Sequence, residues 1–348
     1  MTEVRTYVTA RSSLAHFLML LLGTGAMFLA EATLVPALDL DKLTDDASLI
    51  VLGEVSGVKE IGEEYLQLSG GSVKAHIEEG EIRPDRILKG DAKSTLLNFQ
   101  YYETSTFVGF RSVAGQQYGV YFFRPGRGGR LEFVSPYYPS VPSVRGAVPV
   151  GATPIDRVVS ALGAVLRSEG SRPDEKAWVV FVLSRSRSSS SLAVLRGAVA
   201  PDNPTAVRLA AAGALLERDD LTGLSLVVGA LSDGVPDTST PLTHNLVYAV
   251  SEGIRDARAI PALKKLIVSV SPEVRRAAAS ALMHTQSPEA TDALLKALGD
   301  TDFKARYYSA VGLAEITEQM DWRPNEEVFR ADEARYVKHW REWAGGRK

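Results

Sequence analysis

A chain of 348 residues has room for two domains with real cores, and 45% hydrophobic with 23% charged residues is ordinary globular composition, which excludes a wholly disordered, collagen-like or polytopic membrane chain. A formal net charge of −3 gives no broad positive field, so nucleic acid is not expected as a partner. The absence of cysteine removes disulfides, thiolate catalysis, cysteine-built zinc and iron–sulfur sites, and lipid attachment through cysteine.

The N-terminus has the order of a secretory signal: Arg5 and Arg11 precede an apolar run from Phe17 to Ala30, and small residues follow. That run is shorter than the roughly 20 residues that span a hydrocarbon core. Residues 1–32 are therefore expected to be cleaved, with Ala30-Glu31-Ala32 offering a cut before Thr33 and a cut beside Ala30 as the alternative. The mature chain is then exported, periplasmic or secreted. Retention of this segment as an N-terminal anchor is the alternative and the one expected route to a membrane.

Residues 33–140 read as a β-rich domain. A short helix over Leu38–Ala47 puts Asp39, Asp41 and Asp45 on a polar face. Strand candidates follow at Ser48–Val55, Tyr65–Leu68, Val73–Ile77, Glu81–Leu88, Thr95–Tyr102, Gln117–Phe123 and Leu131–Val134. Their spacing, with glycine-rich turns between them, favours a small barrel or sandwich. The segment Arg124–Arg130, Arg-Pro-Gly-Arg-Gly-Gly-Arg, reads as a hairpin tip. Within this domain Ala47–Val55 (ASLIVLGEV), Arg86–Asp91 (RILKGD) and Gly115–Phe123 (GQQYGVYFF) resemble an exported bacterial β-domain related in shape to the OB-fold and to netrin or metalloproteinase-inhibitor modules. The resemblance implies a fold only, because such inhibitors depend on an N-terminal cysteine that this chain lacks.

Residues 141–152 carry two prolines and two glycines without a period, as expected of a connector. From 153 to 345 the pattern is helical. Thr153-Pro154 offers a capping hydroxyl and a proline at the first helical position, with Ile155, Val158, Val159, Leu162, Val165 and Leu166 on one face. A second helix is expected over Asp174–Leu183, after which Ser184–Ser191 interrupts the pattern as a loop carrying Arg185 and Arg187.

The remainder repeats. Val207–Leu215, Val274–Leu282 and Ala305–Leu313 align without gaps, with a weaker copy at Leu246–Ile254, at separations of 39, 28 and 31 residues. A second helix follows two of the copies, at Ala259–Ile267 and Ala290–Leu298. Small residues allow close helix crossing while leucine and valine fill the space between helices, and such units bury their apolar faces only by stacking. On Ser271-Pro272-Glu273-Val274-Arg275 and Thr301-Asp302-Phe303-Lys304-Ala305-Arg306 the region 200–320 resembles short bacterial HEAT repeats of the phycobilin-lyase-like kind. That resemblance implies a solenoid that binds protein partners and seldom catalyses. Asn325–Trp343 reads as one final helix capping the solenoid, with Val328, Phe329, Tyr336, Val337, Trp340 and Trp343 on its apolar face.

The expected fold class is thus multidomain β plus α: a small OB-like β-barrel or sandwich followed by an α-helical HEAT-like solenoid. Candidate partner contacts are Arg124, Arg127 and Arg130 at the hairpin tip, Tyr137 and Tyr138 beside it, and Trp340 and Trp343 at the C-terminus. Three cations in seven residues suit a carboxylate or phosphate, although glycine and proline there serve turn geometry in any case. Both tryptophans read first as cap packing, with an exposed aromatic patch for a partner as the alternative. His76, His244, His284 and His339 lack metal-ligand spacing, and Glu78, Glu79 and Glu81 around Gly80 read as solvated carboxylates in a turn. No catalytic residue, metal or cofactor is expected. The chain reads as an exported, non-catalytic protein-binding scaffold, with an envelope enzyme, such as a hydrolase with a spatially assembled site, as the alternative.

Overall fold

The computed structural model describes residues 36–68, 71–92, 94–104, 113, 118–232 and 240–346; the expected signal segment, 1–32, lies outside them. Helix α1 (Leu40–Asp46) precedes six strands: β1 (Leu49–Leu68), β2 (Gly71–Lys89), β3 (Leu97–Thr104), β4 (Tyr118–Pro125), β5 (Leu131–Phe133) and β6 (Ser140–Pro142). Strand β1 pairs antiparallel with both β2 and β4, and β3 pairs parallel with β5, so the order β1-β2-β3-β5-β4 closes back on β1 as a barrel. Strand β6 extends it along β4.

Four expected short strands are two long ones. Ser48–Val55 and Tyr65–Leu68 merge into β1, and Val73–Ile77 and Glu81–Leu88 merge into β2. The intervening glycines sit at irregularities of one ladder and do not turn the chain, with register shifts between Val55 and Gly57 and between Glu60 and Gly62. Gly80 has a packing role: a Cβ there would lie 2.3 Å from the Phe99 ring on β3. Glu78, Glu79 and Glu81 therefore stand on a strand and not in a turn.

Alternation along β1 and β4 explains their unbroken apolar sequence. Leu49, Val51, Tyr121 and Phe123 fill the barrel with Phe99 and Phe133. Ile50, Leu52, Val120 and Phe122 point the other way, into a cluster shared with Val158, Leu162, Val165, Val179 and Leu183 of the helical region. Strands covered on both faces read as continuous hydrophobic runs. Barrel and solenoid are therefore joined through a common core. Polar contacts reinforce it: Leu40 N donates to Arg185 O at 3.0 Å, and Arg157 Nε donates to Leu88 O at 2.7 Å. Residues 141 and 142 belong to β6, and Ser143 Oγ donates to Ala161 O at 3.2 Å.

The helices are α2 (Pro154–Arg167), α3 (Pro173–Ser184), α4 (Ser189–Ala198), α5 (Thr205–Leu216), α6 (Leu224–Ser232), α7 (Pro241–Gly253), α8 (Ile260–Leu266), α9 (Pro272–His284), α10 (Thr291–Ala297), α11 (Phe303–Ile316), α12 (Glu326–Ala331) and α13 (Glu333–Gly345). Thr153 forms a capping box with Asp156 at the start of α2, as its sequence leads one to expect. Helices α3, α5, α7, α9 and α11 stack in chain order, while α8 packs on α6 and α9, and α10 on α11. The four aligned copies are α5, α7, α9 and α11, all in one layer. The layout is thus β plus α, with a HEAT-like helical region.

The C-terminal segment differs from expectation. It is two helices, α12 and α13, broken at Asp332, where φ is −143° and ψ is 51°. The bend brings Phe329 and Tyr336 together, with ring centroids 5.8 Å apart, inside the core that also holds Trp340.

Candidate functional site

Two of the repeated helices, α9 and α11, carry an arginine at the fourth position after the N-cap that ties each to the next element. Arg275, four residues past Ser271, donates to Asp300 at 2.7 and 2.9 Å and to the carbonyls of Ser269 and Val270 at 3.0 and 3.1 Å. One repeat later Arg306, four past Asp302, pairs with Glu333 and donates to the carbonyls of Asp300 and Thr301 at 2.8 and 3.0 Å. Arg276 adds a second link to Asp302, with Nη2 at 2.6 Å. Burial raises the Asp300 carboxyl, but the hydrogen bonds from Arg275 and from the Asp302 backbone outweigh it and hold the group below the ordinary carboxylate range.

Arg157, four residues past Thr153, makes the same paired carbonyl contacts, to Gly151 and Ala152 at 3.3 Å each. Its Nε turns to Leu88 of the barrel instead of to the next helix. A capping hydroxyl, proline, and arginine at the fourth position is thus common to the starts of α2 and α9.

The alignment also relates positions of unequal exposure. Aligning Val207, Leu246, Val274 and Ala305 places Leu209, Tyr248, Arg276 and Tyr307 at one equivalent position on α5, α7, α9 and α11. Tyr248 is 54% exposed, and the other three are partly exposed. Val268 and Val270, between α8 and α9, are also exposed large apolar residues. Of these, Tyr248, Val268 and Val270 are the exposed apolar side chains, while Leu209 and Tyr307 pack against the helical core and Arg276 is bound to Asp302.

The arginine tip is a hairpin between β4 and β5 with a short 3-10 turn at Arg127–Gly129. Its cations have partners in the barrel: Arg124 lies 3.9 Å from Glu132, Arg127 lies 3.7 Å from Glu64, and Arg130 lies 2.9 Å from Glu79. Arg127 lines a cavity of about 140 Å³ with Glu64, Gln100, Tyr102 and Glu132, so any anion there competes with carboxylates already in place. Tyr138 is buried and donates to Pro36 O at 2.9 Å, while Tyr137 packs beside the shared core.

Trp340 is fully buried, and its indole meets Trp343 edge-on at 5.6 Å. Its N–H finds no acceptor among the described residues. His339 stacks on Trp322 at 3.6 Å, and burial holds it below the usual histidine range. The tryptophan side chains are thus placed as cap packing, Trp343 being half-buried.

Two groupings were not visible in the sequence. Ser184–Ser191 is a polar joint: Arg218 donates to the carbonyls of Leu183 and Ser184 at 3.1 and 2.9 Å and to Ser186 O, while Asp41 accepts from Ser186 Oγ and Arg187 N, each at 2.6 Å. Asp41 and Arg218 lie too far along the chain for local pattern to announce them. Glu60, Glu63 and His76 place ligand-type atoms within 4.8 Å of one another on the exposed β1–β2 hairpin. Lys74 already pairs with Glu63 at 2.8 Å, so this trio is satisfied as surface ion pairs.

Comparison with protein families finds a match to HEAT repeats over residues 237–314, which covers α7 to α11. No curated protein matches the chain.

Proposed function

We propose that this protein is an exported, non-catalytic scaffold that binds another protein along its first-helix layer. The observation that carries this reading is the match to HEAT repeats over 237–314 together with the exposed large apolar side chains Tyr248, Val268 and Val270 within that stretch. Helical repeats of this kind form scaffolds for protein interaction, because stacking leaves a long face of side chains unused by the core.

The barrel has the ring order β1-β2-β3-β5-β4, which supports reading it as OB-like. In that reading the arginine tip and its small cavity hold a second ligand, and the shared core fixes its position relative to the helical face. The charged, apolar and small-residue order of the first 32 residues supports export. A mature chain beginning at Thr33, read by N-terminal mass spectrometry of protein from its native cell, tests that part. The intact precursor as the sole species would refute cleavage.

For the scaffold itself, the full chain carries a photo-crosslinking residue at Tyr248 or, as control, at Val150 in the connector, which is also exposed. A discrete protein adduct from the first position alone is the expected result. No adduct, or the same adducts from both positions, would refute binding along this face.

A further inference from the structure

The long β1–β2 ribbon, outside the matched repeats, carries a set of side chains that the functions above leave unused. Among the described residues β1 pairs with β4 only as far as Glu54, while its pairing with β2 continues to Leu68. Along that ribbon Glu60 lies opposite Glu78 and Glu63 opposite His76, with a register shift between them that sets two residues of β1 against one of β2. The shift decides the chemistry. In a regular strand residues three apart point to opposite faces, so Glu60 and Glu63 would be parted. The extra residue, the exposed Ile61, brings both carboxylates to the face that carries His76.

The geometry there suits a cation of a particular kind. His76 Nδ1 lies 3.0 Å from Glu60 Oε1 and 3.7 Å from Glu63 Oε1, and the three ligand-type atoms all fall within 4.8 Å of one another. Donors about 2.0–2.2 Å from a tetrahedral zinc ion stand roughly 3.3–3.6 Å apart, a spacing that the two measured distances bracket. An imidazole beside two carboxylates favours zinc over magnesium or calcium, which prefer oxygen alone. The face is also rich in negative charge: Glu78 stands opposite Glu60, and Glu103 of β3 stands opposite His76. Like charges placed opposite one another weaken a ladder, and a divalent ion relieves that repulsion. Without a metal, Lys74 holds Glu63 Oε1 at 2.8 Å. Both members of that pair are exposed, so exchanging it for a metal ligand costs little.

We propose that Glu60, Glu63 and His76 form a zinc site that staples the β1–β2 ribbon across its bulge, with Lys74 released to solvent when the ion binds. The neutral imidazole and one oxygen of each carboxylate supply three ligands, and water completes the tetrahedron on the exposed side. No spacing motif announces the set, because it is assembled across two strands. The proposal does not depend on the scaffold reading, because none of these residues lies in 237–314.

The test is calorimetric titration of the untagged full chain with zinc chloride and, separately, with calcium and magnesium chloride. One zinc ion per chain is expected, bound at least roughly tenfold more tightly than either of the other ions. His76→Ala and the isosteric Glu63→Gln should each weaken zinc binding at least roughly tenfold, while His244→Ala, at an exposed position of α7, should leave it unchanged. Lys74→Gln relieves Glu63 of its competitor and should tighten binding. On adding zinc, hydrogen exchange should slow in residues 56–68 and 71–79. No saturable zinc uptake, equal binding of calcium, unchanged affinity in His76→Ala or Glu63→Gln, weaker binding in Lys74→Gln, or protection confined to other segments would overturn the proposal.

Discussion

Phe122→Ala tests whether barrel and solenoid are one cooperative structure. Phe122 is fully buried on β4 and belongs to the cluster that contains Val158, Leu162, Val179 and Leu183 of α2 and α3. Its neighbour Phe123 is equally buried but belongs to the cluster inside the barrel. Truncating a buried phenylalanine costs about 3–5 kcal/mol through lost transfer energy and the cavity left behind. At roughly 1.4 kcal/mol per tenfold change, that is about two to three and a half orders of magnitude in the opening equilibrium of every amide protected by this core. Hydrogen exchange followed by peptide mass spectrometry resolves the effect by segment. Phe122→Ala should accelerate exchange in residues 154–184 as well as in β1 and β4, whereas Phe123→Ala should act first on β3, β4 and β5. Faster exchange in the strands of Phe122→Ala, with 154–184 unchanged, would refute the shared core.

Asp300→Asn should destabilise the protein by about 3 kcal/mol in urea titration at neutral pH, because it leaves the half-buried Arg275 guanidinium without its carboxylate. Since the folded Asp300 carboxyl titrates below its ordinary value, its contribution is complete above about pH 4 and is lost as pH falls through the lower folded value. The acid limb of the stability profile should therefore be shallower in the variant, and an identical limb would count against the pairing. Gly253→Ala places a Cβ 2.1 Å from the Leu216 carbonyl oxygen, a backbone atom that cannot swing aside, and should cost about 1–3 kcal/mol by thermal melting. A neutral or stabilising result would show that α5 and α7 are not in close contact there. His339 is held below its unfolded value by burial, so the stability it preserves is full above about pH 6.5 and declines as pH falls through that range. His339→Gln should flatten this slope between about pH 7 and 5, as read from tryptophan fluorescence of the Trp322 and Trp340 cap.

The amino-acid sequence by itself determined most of the helical half. Apolar residues at three- and four-residue spacing, capping hydroxyls followed by proline, and small residues at helix crossings all act within one or two turns. Helices α2 and α3, and the common register of α5, α9 and α11, were therefore legible before any fold was known. The β runs were legible as strands, but not the joining of four of them into two, because a glycine at a ladder irregularity looks the same in sequence as one in a turn.

Only the tertiary structure decided which second face of β1 and β4 was covered, since an apolar residue at Ile50 or Phe122 records that it is buried but not against what. It alone brought Asp41 to the Ser184–Ser191 joint, Arg157 to Leu88, and Asp300 to Arg275.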